Sequence, residues 1–264
     1  MRKVASIVLN NFTRDNRVLK ENLSLQKAGY RILVVALHEN GLPENENING
    51  IEVVRVKLKT RTWSKSVIIS GIKYLEFVFR AMKLTKNCEI VHCNDLETLP
   101  AGFFRKFLKP KTKLVYDAHE VETQKTSNAH PTRIWLNKLM EKWFIGLADE
   151  VLTVSKSIAD EYEKMYQINK PHLIYNCPPK SMKTDESFDL FRQEFNIPLT
   201  HNIFLYQGGF SMGRGIDMII DIFSQFKDKT VVFMGYGPYL QKVIDAANNY
   251  DNIHFKEAVP FDQI

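Results

Sequence analysis

The chain has 264 residues, 44% of them hydrophobic and 25% charged, with a formal net charge of +6. That length buries one large core or two modest ones, and the composition excludes a fibrous or wholly disordered chain. Residues 1–180 hold 29 Lys and Arg against 19 Asp and Glu, or +10, whereas residues 181–264 hold 7 against 11, or −4, so the two parts are expected to meet different partners.

Met1-Arg2-Lys3 and the short apolar run Val4–Leu9 read as a first buried strand rather than a signal peptide. Arg31–Leu37, Ile51–Val56, Ile90–His92, Leu114–Tyr116, Val151–Val154 and Leu173–Tyr175 follow as strands. Helical patterns alternate with them: Arg17–Ala28, closed by Gly29, then Thr98–Leu108 and Arg133–Leu147. This βαβ rhythm predicts a doubly wound α/β sandwich with a parallel sheet, whose ligands sit at the carboxyl ends of the strands. Asn176-Cys177-Pro178-Pro179-Lys180 and the polar Ser181–Ser187 predict a linker, dividing the chain into domains 1–180 and 181–264. The second part repeats the pattern, with helices at Phe188–Phe195, Ile216–Phe226 and Tyr239–Asn248, strands at Ile203–Gln207, Val231–Met234 and Ile253–Phe255, and a further helix starting at Phe261. Three strands predict an incomplete second domain.

Several segments carry residues suited to chemistry. The loop after the first strand holds Arg14, Asp15 and Arg17, with Asp15 equally readable as a helix cap. His92 and Asp95 end another strand, where a packed imidazole and a cap are the rival readings. His119, flanked by Asp117 and Glu120, ends a third, and neighbouring strands would bring the two histidines together. Gly208, Gly209, Arg214 and Gly215 form a glycine-rich loop before a helix, suited to phosphate, and Gly235 and Gly237 form a second such turn. Neither matches a Walker loop or the full dinucleotide fingerprint. No His or Cys spacing supports a metal site. Lys57–Lys86 has eight basic residues against Glu76 alone, interleaved with apolar ones; it reads as a membrane-facing basic helix or as a packed one with solvated cations. No nucleic-acid motif accompanies the charge. Cys88, Cys93 and Cys177 lack metal or disulfide spacing and suit a reducing, cytoplasmic compartment.

In order and spacing, Asp15-x-Arg17-Val18, His92-x-x-Asp95-Leu96-x-x-Leu99-Pro100, Tyr116-Asp117-Ala118-His119-Glu120, Ile174-Tyr175-Asn176-x-Pro178, Gln207-Gly208-Gly209 with Arg214-Gly215, and Gly235-x-Gly237-Pro238 resemble the retaining nucleotide-sugar glycosyltransferases of family 4. The resemblance covers nearly the whole chain. It implies the GT-B fold: two Rossmann-like domains, parallel sheets with helices on both faces, an acceptor in the first, a nucleotide-diphosphate sugar in the second, and transfer between them. Catalysis is then expected of His119 with Asp95 and Glu120, acceptor binding of Arg14, Asp15, Arg17 and His92, and donor binding of Gly208, Gly209, Arg214, Gly215, Gly235 and Gly237. The donor is a substrate; no cofactor or metal is implied. The acceptor is expected to be lipid-linked or polysaccharide, and the chain peripheral on the inner face of the plasma membrane. Two departures from the family stand out. No second basic residue follows Gly209, and the paired glutamates expected after Ile264 are missing, so a truncated chain of weak or no activity is expected. Rival readings are a non-catalytic acceptor-binding or membrane-docking subunit completed by a partner chain, and a nucleotide-sugar epimerase.

Overall fold

The computed structural model describes residues 1–259 except 14, 65, 120–130 and 178–188. Two compact units divide the chain, Met1–Pro179 and Lys180–Ile264. The predicted helix at Phe261 lies outside the described residues, as does most of the predicted linker.

The first unit is built on an eight-stranded sheet. Its strands are β1 (Lys3–Ile7), β2 (Arg31–Leu37), β3 (Asn45–Ile48), β4 (Ile51–Val56), β5 (Ile90–Asn94), β6 (Lys113–Ala118), β7 (Glu150–Thr153) and β8 (His172–Leu173), in spatial order 3-4-2-1-5-6-7-8. All pairings are parallel except β3 with β4. That edge hairpin is absent from the strand reading above, although Asn49-Gly50 announces it. Both residues have positive φ, 54° and 84°, as a two-residue turn with the right twist requires.

Helix α1 (Asn16–Lys27) starts where the Asp15 carboxylate accepts from the Val18 N–H and ends with the Tyr30 N–H on the Leu25 carbonyl across Gly29 at φ 91°. It packs Val18, Leu19 and Leu23 on one face of the sheet, against Val4, Ile32 and Val34. The other face is covered by α2 (Val67–Leu84), α3 (Leu99–Leu108), α4 (Pro131–Ile145) and α5 (Lys156–Tyr166), through Phe77, Val78, Ala81, Leu99, Ile145 and Tyr162. The imbalance follows from right-handed crossovers: β1 to β2 runs one way along the sheet, and each later step from β4 to β8 runs the other. Residues 57–86 are therefore not one basic helix; they are a loop, then α2 from its Ser66 cap. Helix α5 is an addition to the helices predicted above.

A buried carboxylate ties this layer together. Glu141 of α4, fully buried, accepts from the hydroxyls of Tyr116 on β6 (2.6 Å) and of Tyr162 and Tyr166 on α5 (2.5 and 2.6 Å). Burial first, and then the Glu141 charge, push all three phenols far above the usual tyrosine range, so they remain donors.

The second unit has three parallel strands, β9 (Asn202–Gly209), β10 (Lys229–Tyr236) and β11 (Ile253–Glu257), in the order 11-10-9. Helices α7 (Ile216–Phe223) and α8 (Leu240–Asn249) close one face over Phe210, Phe233 and Ile253. The short α6 (Leu190–Phe195) meets the other, with Phe195 stacked on His254 at 4.7 Å. Phe204 and Leu205 of the edge strand β9 remain exposed.

Candidate functional site

Strands β1, β5 and β6 are neighbours and parallel, so their carboxyl ends open along one edge. Asn94 fixes that edge: buried, it donates from Nδ2 to Ser6 Oγ (3.0 Å) and to the Ile7 carbonyl (3.1 Å). Asp95 follows at φ 69°, ψ 162°, backbone that a non-glycine residue rarely holds, and its N–H donates to the Asp117 carbonyl at 3.1 Å. Asp95 makes no side-chain cap; its strained backbone instead turns the carboxylate toward His119, with Oδ1 at 3.4 Å from Nε2.

Asp117, near the end of β6 and buried, is the hub. Its Oδ2 receives Arg17 Nη1 at 2.7 Å and lies 3.6 Å from His92 Nε2, and its Oδ1 lies 3.2 Å from His119 Nδ1. Arg17 reaches it from the first turn of α1, shares Nη1 with Glu21 Oε1 at 2.9 Å, and sets Nη2 against His119 Nε2. Guanidinium nitrogens only donate, so in that contact Nε2 is the acceptor, and the tautomer that suits it carries its proton on Nδ1, beside Asp117.

The two buried acids respond in opposite directions. Burial alone would raise Asp117, but the hydrogen bond from His119, the nearby His92 imidazole and the charge of Arg17 outweigh it and hold its carboxyl far below the usual range. Glu21 is raised, by burial first and then by the Asp117 charge. Glu21, His92 and Asp117 each offer a ligand atom, all within 4.8 Å of one another, so this trio could hold a divalent cation. In the folded chain Arg17 Nη1 already lies against both carboxylates, and a metal there would have to displace a guanidinium from a partly buried ion pair. A cavity of about 750 Å³ opens beside this cluster on the α1 side of the sheet, lined among others by Arg17, Glu21, His92, Val115, Leu152 and Ile174.

In the second unit β9 runs into the loop 210–215, and Gly215, at φ 74°, starts α7 without a side-chain cap. The first N–H groups of α7 are thus left for another acceptor. Arg214 is exposed, and among the described residues its guanidinium has no hydrogen bond or ion pair. The second glycine turn has a packing reason. A Cβ on Gly235 would stand 1.9 Å from the Gly208 carbonyl oxygen, and one on Gly237 would stand 2.4 Å from the Phe210 carbonyl oxygen. Phe210, directly after Gly209, is a fully buried core residue rather than part of a ligand surface.

Of the residues singled out from sequence, Arg17, His92, Asp95 and His119 converge. Asp15 commits its carboxylate to the α1 cap and to Asn10 Nδ2 at 2.8 Å. Arg14 and Glu120 lie outside the described residues. Sequence reasoning missed Glu21 and undervalued Asp117. The i, i+4 spacing of Arg17 and Glu21 signals their pairing, but nothing local signals a partner one hundred residues away.

The model of glycosyltransferase family 4 matches residues 22–177, more than half of the chain. No curated protein sequence matches significantly. Among solved structures, sucrose-phosphate synthase from Thermosynechococcus elongatus superposes with a TM-score of 0.74 at 16% identity, over 98% of this chain and 71% of that one. Anabaena HepE in complex with UDP and glucose gives 0.68 at 13% identity, over 98% and 70%. WaaG, a glycosyltransferase involved in lipopolysaccharide biosynthesis, gives 0.65 at 16%, over 98% and 71%. At these identities the likeness is one of fold, and it is the GT-B fold expected above.

Proposed function

Because the chain belongs to glycosyltransferase family 4, we propose that it serves a retaining transfer of a glycosyl group from a nucleotide-diphosphate sugar to a lipid-linked or polysaccharide acceptor in cell-surface glycan synthesis. The observation that carries this reading is the convergence of Arg17, Asp95, Asp117 and His119 at the carboxyl edge of β5 and β6, the last three within the segment that the family model matches. HepE, solved with UDP and glucose, and WaaG, which acts in lipopolysaccharide biosynthesis, support the donor and acceptor classes.

In this reading Asp117 at Nδ1 and Arg17 at Nε2 fix the His119 ring at the carboxyl edge of β6, where the transferred sugar would lie. Negative charge grows on the leaving diphosphate as the glycosidic bond lengthens, so cationic and N–H donors placed there act most strongly in the transition state. Within the second unit Arg214 and the free amides at the start of α7 are donors of that kind; within the first, Asp95 stands beside His119. Calorimetry with UDP and ADP tests donor binding: Arg214→Ala should weaken it by the roughly 1.5–3 kcal/mol of a charge-assisted hydrogen bond. Mass spectrometry of reactions containing UDP-glucose and a lipid-linked glycan extract tests transfer, which His119→Ala should abolish without loss of nucleotide affinity. Absence of nucleotide binding by the unmutated chain, or full turnover by His119→Ala, refutes the reading.

A further inference from the structure

Helices α2, α3 and α4 form one layer, with α3 packed against both of its neighbours and Phe103 against Phe144 at 4.7 Å. Each helix carries two apolar stripes. On α2, Tyr74, Phe77, Val78 and Ala81 face the core, while Ile68, Ile72, Leu75 and Phe79, at helical spacing, face outward and are exposed. On α3, Phe104, Phe107 and Leu108 are exposed; on α4, Trp135, Leu136, Leu139 and Trp143 are. A water-facing apolar surface this broad and this aromatic exceeds the scattered exposed side chains of an ordinary surface.

Charge says what covers it. Lys83, Lys86, Lys109, Lys111, Lys138 and Lys142 are exposed on these helices and the turns that follow them. The helices contain only two carboxylates, and neither is free to answer those cations; on the turns that follow, Glu89 pairs with Arg2 and Asp149 with Lys106 and Lys113. Glu141 is enclosed by its tyrosines, and Glu76 accepts from the N–H groups of Lys59 and Thr60 and the Thr60 hydroxyl, besides pairing with Arg80 at 2.8 Å. A second copy of the same face would set lysine against lysine. A bilayer with anionic headgroups accepts both the apolar stripes and the lysine rim, and exposed tryptophans suit its interface. The three tryptophans of the chain, Trp63, Trp135 and Trp143, all lie here and are 51–71% exposed; Trp63 is held to α2 by Lys73 Nζ on its carbonyl at 2.8 Å. No helix of the described residues is long and apolar enough to cross a membrane, so the contact is one of lying on the surface.

We propose that the outward face of α2, α3 and α4 is a docking surface for an anionic lipid bilayer. It extends well beyond residues 57–86 and does not rest on the sugar-transfer reading, because vesicle binding needs neither donor nor acceptor.

The confinement of tryptophan to this face makes intrinsic fluorescence a direct probe. The full chain is mixed with vesicles of phosphatidylcholine containing phosphatidylglycerol, with and without brominated acyl chains. Emission should shift to the blue and be quenched by the brominated lipid, and binding should fall as salt is raised. Lys138→Ala with Lys142→Ala should weaken co-sedimentation by roughly fivefold per cation removed. Leu75→Ser with Leu136→Ser, both exposed and therefore neutral to folding as checked by circular dichroism, should abolish the blue shift. Unshifted and unquenched emission on anionic vesicles overturns the proposal, as does equal binding to pure phosphatidylcholine. So does a blue shift that grows with protein concentration in the absence of lipid while the chain sediments as a dimer, since a second copy then covers the face.

Discussion

Removing the Arg17 guanidinium while keeping its volume, as in Arg17→Met, tests the electrostatic logic of the site. The native chain gives Asp117 Oδ2 and Glu21 Oε1 a shared donor at 2.7 and 2.9 Å, with the Asp117 side chain 4% and the Glu21 side chain 17% exposed. Without it, two carboxylates face each other across at most 4.8 Å. At an effective dielectric of about 20, two charges at that distance repel by about 3.5 kcal/mol. Breaking buried ion pairs by deleting one partner costs about 3–5 kcal/mol, so the two routes agree. Urea unfolding followed by circular dichroism should show that loss at pH 8. The pH dependence fixes the mechanism. In the native chain Asp117 is depressed, so its stabilisation is present above the ordinary carboxylate range and lost only as pH falls through its folded value. Glu21 is already raised, and loss of Arg17 raises both acids further. The folded variant then binds protons more readily than the folded native chain, and its deficit must shrink as pH falls through the raised Glu21 value. A deficit below about 1 kcal/mol at pH 8, or one that grows toward pH 5, refutes the argument.

Two further outcomes are expected. Glu141→Leu leaves the Tyr116, Tyr162 and Tyr166 hydroxyls buried without their acceptor, at about 1–3 kcal/mol each. Because Tyr116 and Tyr162 can still bond each other, the total loss in thermal or urea unfolding should be about 3–5 kcal/mol, and a loss under 1 kcal/mol would mean the cage is idle. Gly235→Ala drives a methyl group into the Gly208 carbonyl, so unfolding of the second unit should come about 1–3 kcal/mol earlier, with nucleotide affinity reduced as the loop shifts; unchanged stability rejects the close approach.

Elements whose cause is local were legible in the sequence. The apolar runs of β2 and β4 fall where read, Gly29 ends α1, and Ile216 begins α7 after Gly215. Each depends on residues within a turn or a strand, over which propensity and side-chain period act directly. Even β3 was within reach, since its Asn-Gly turn is a short-range signal. Three features depended on tertiary structure. Asp117 becomes the hub only because β6 pairs with β5 and α1 swings Arg17 across one hundred positions of chain. Glu141 becomes a buried acceptor only where β6, α4 and α5 meet. The doubled apolar stripes of α2 and α4 announce helices, but periodicity cannot say which stripe finds the sheet and which is left facing water. Burial and electrostatic coupling depend on distance in space, and only the assembled sheet sets that distance.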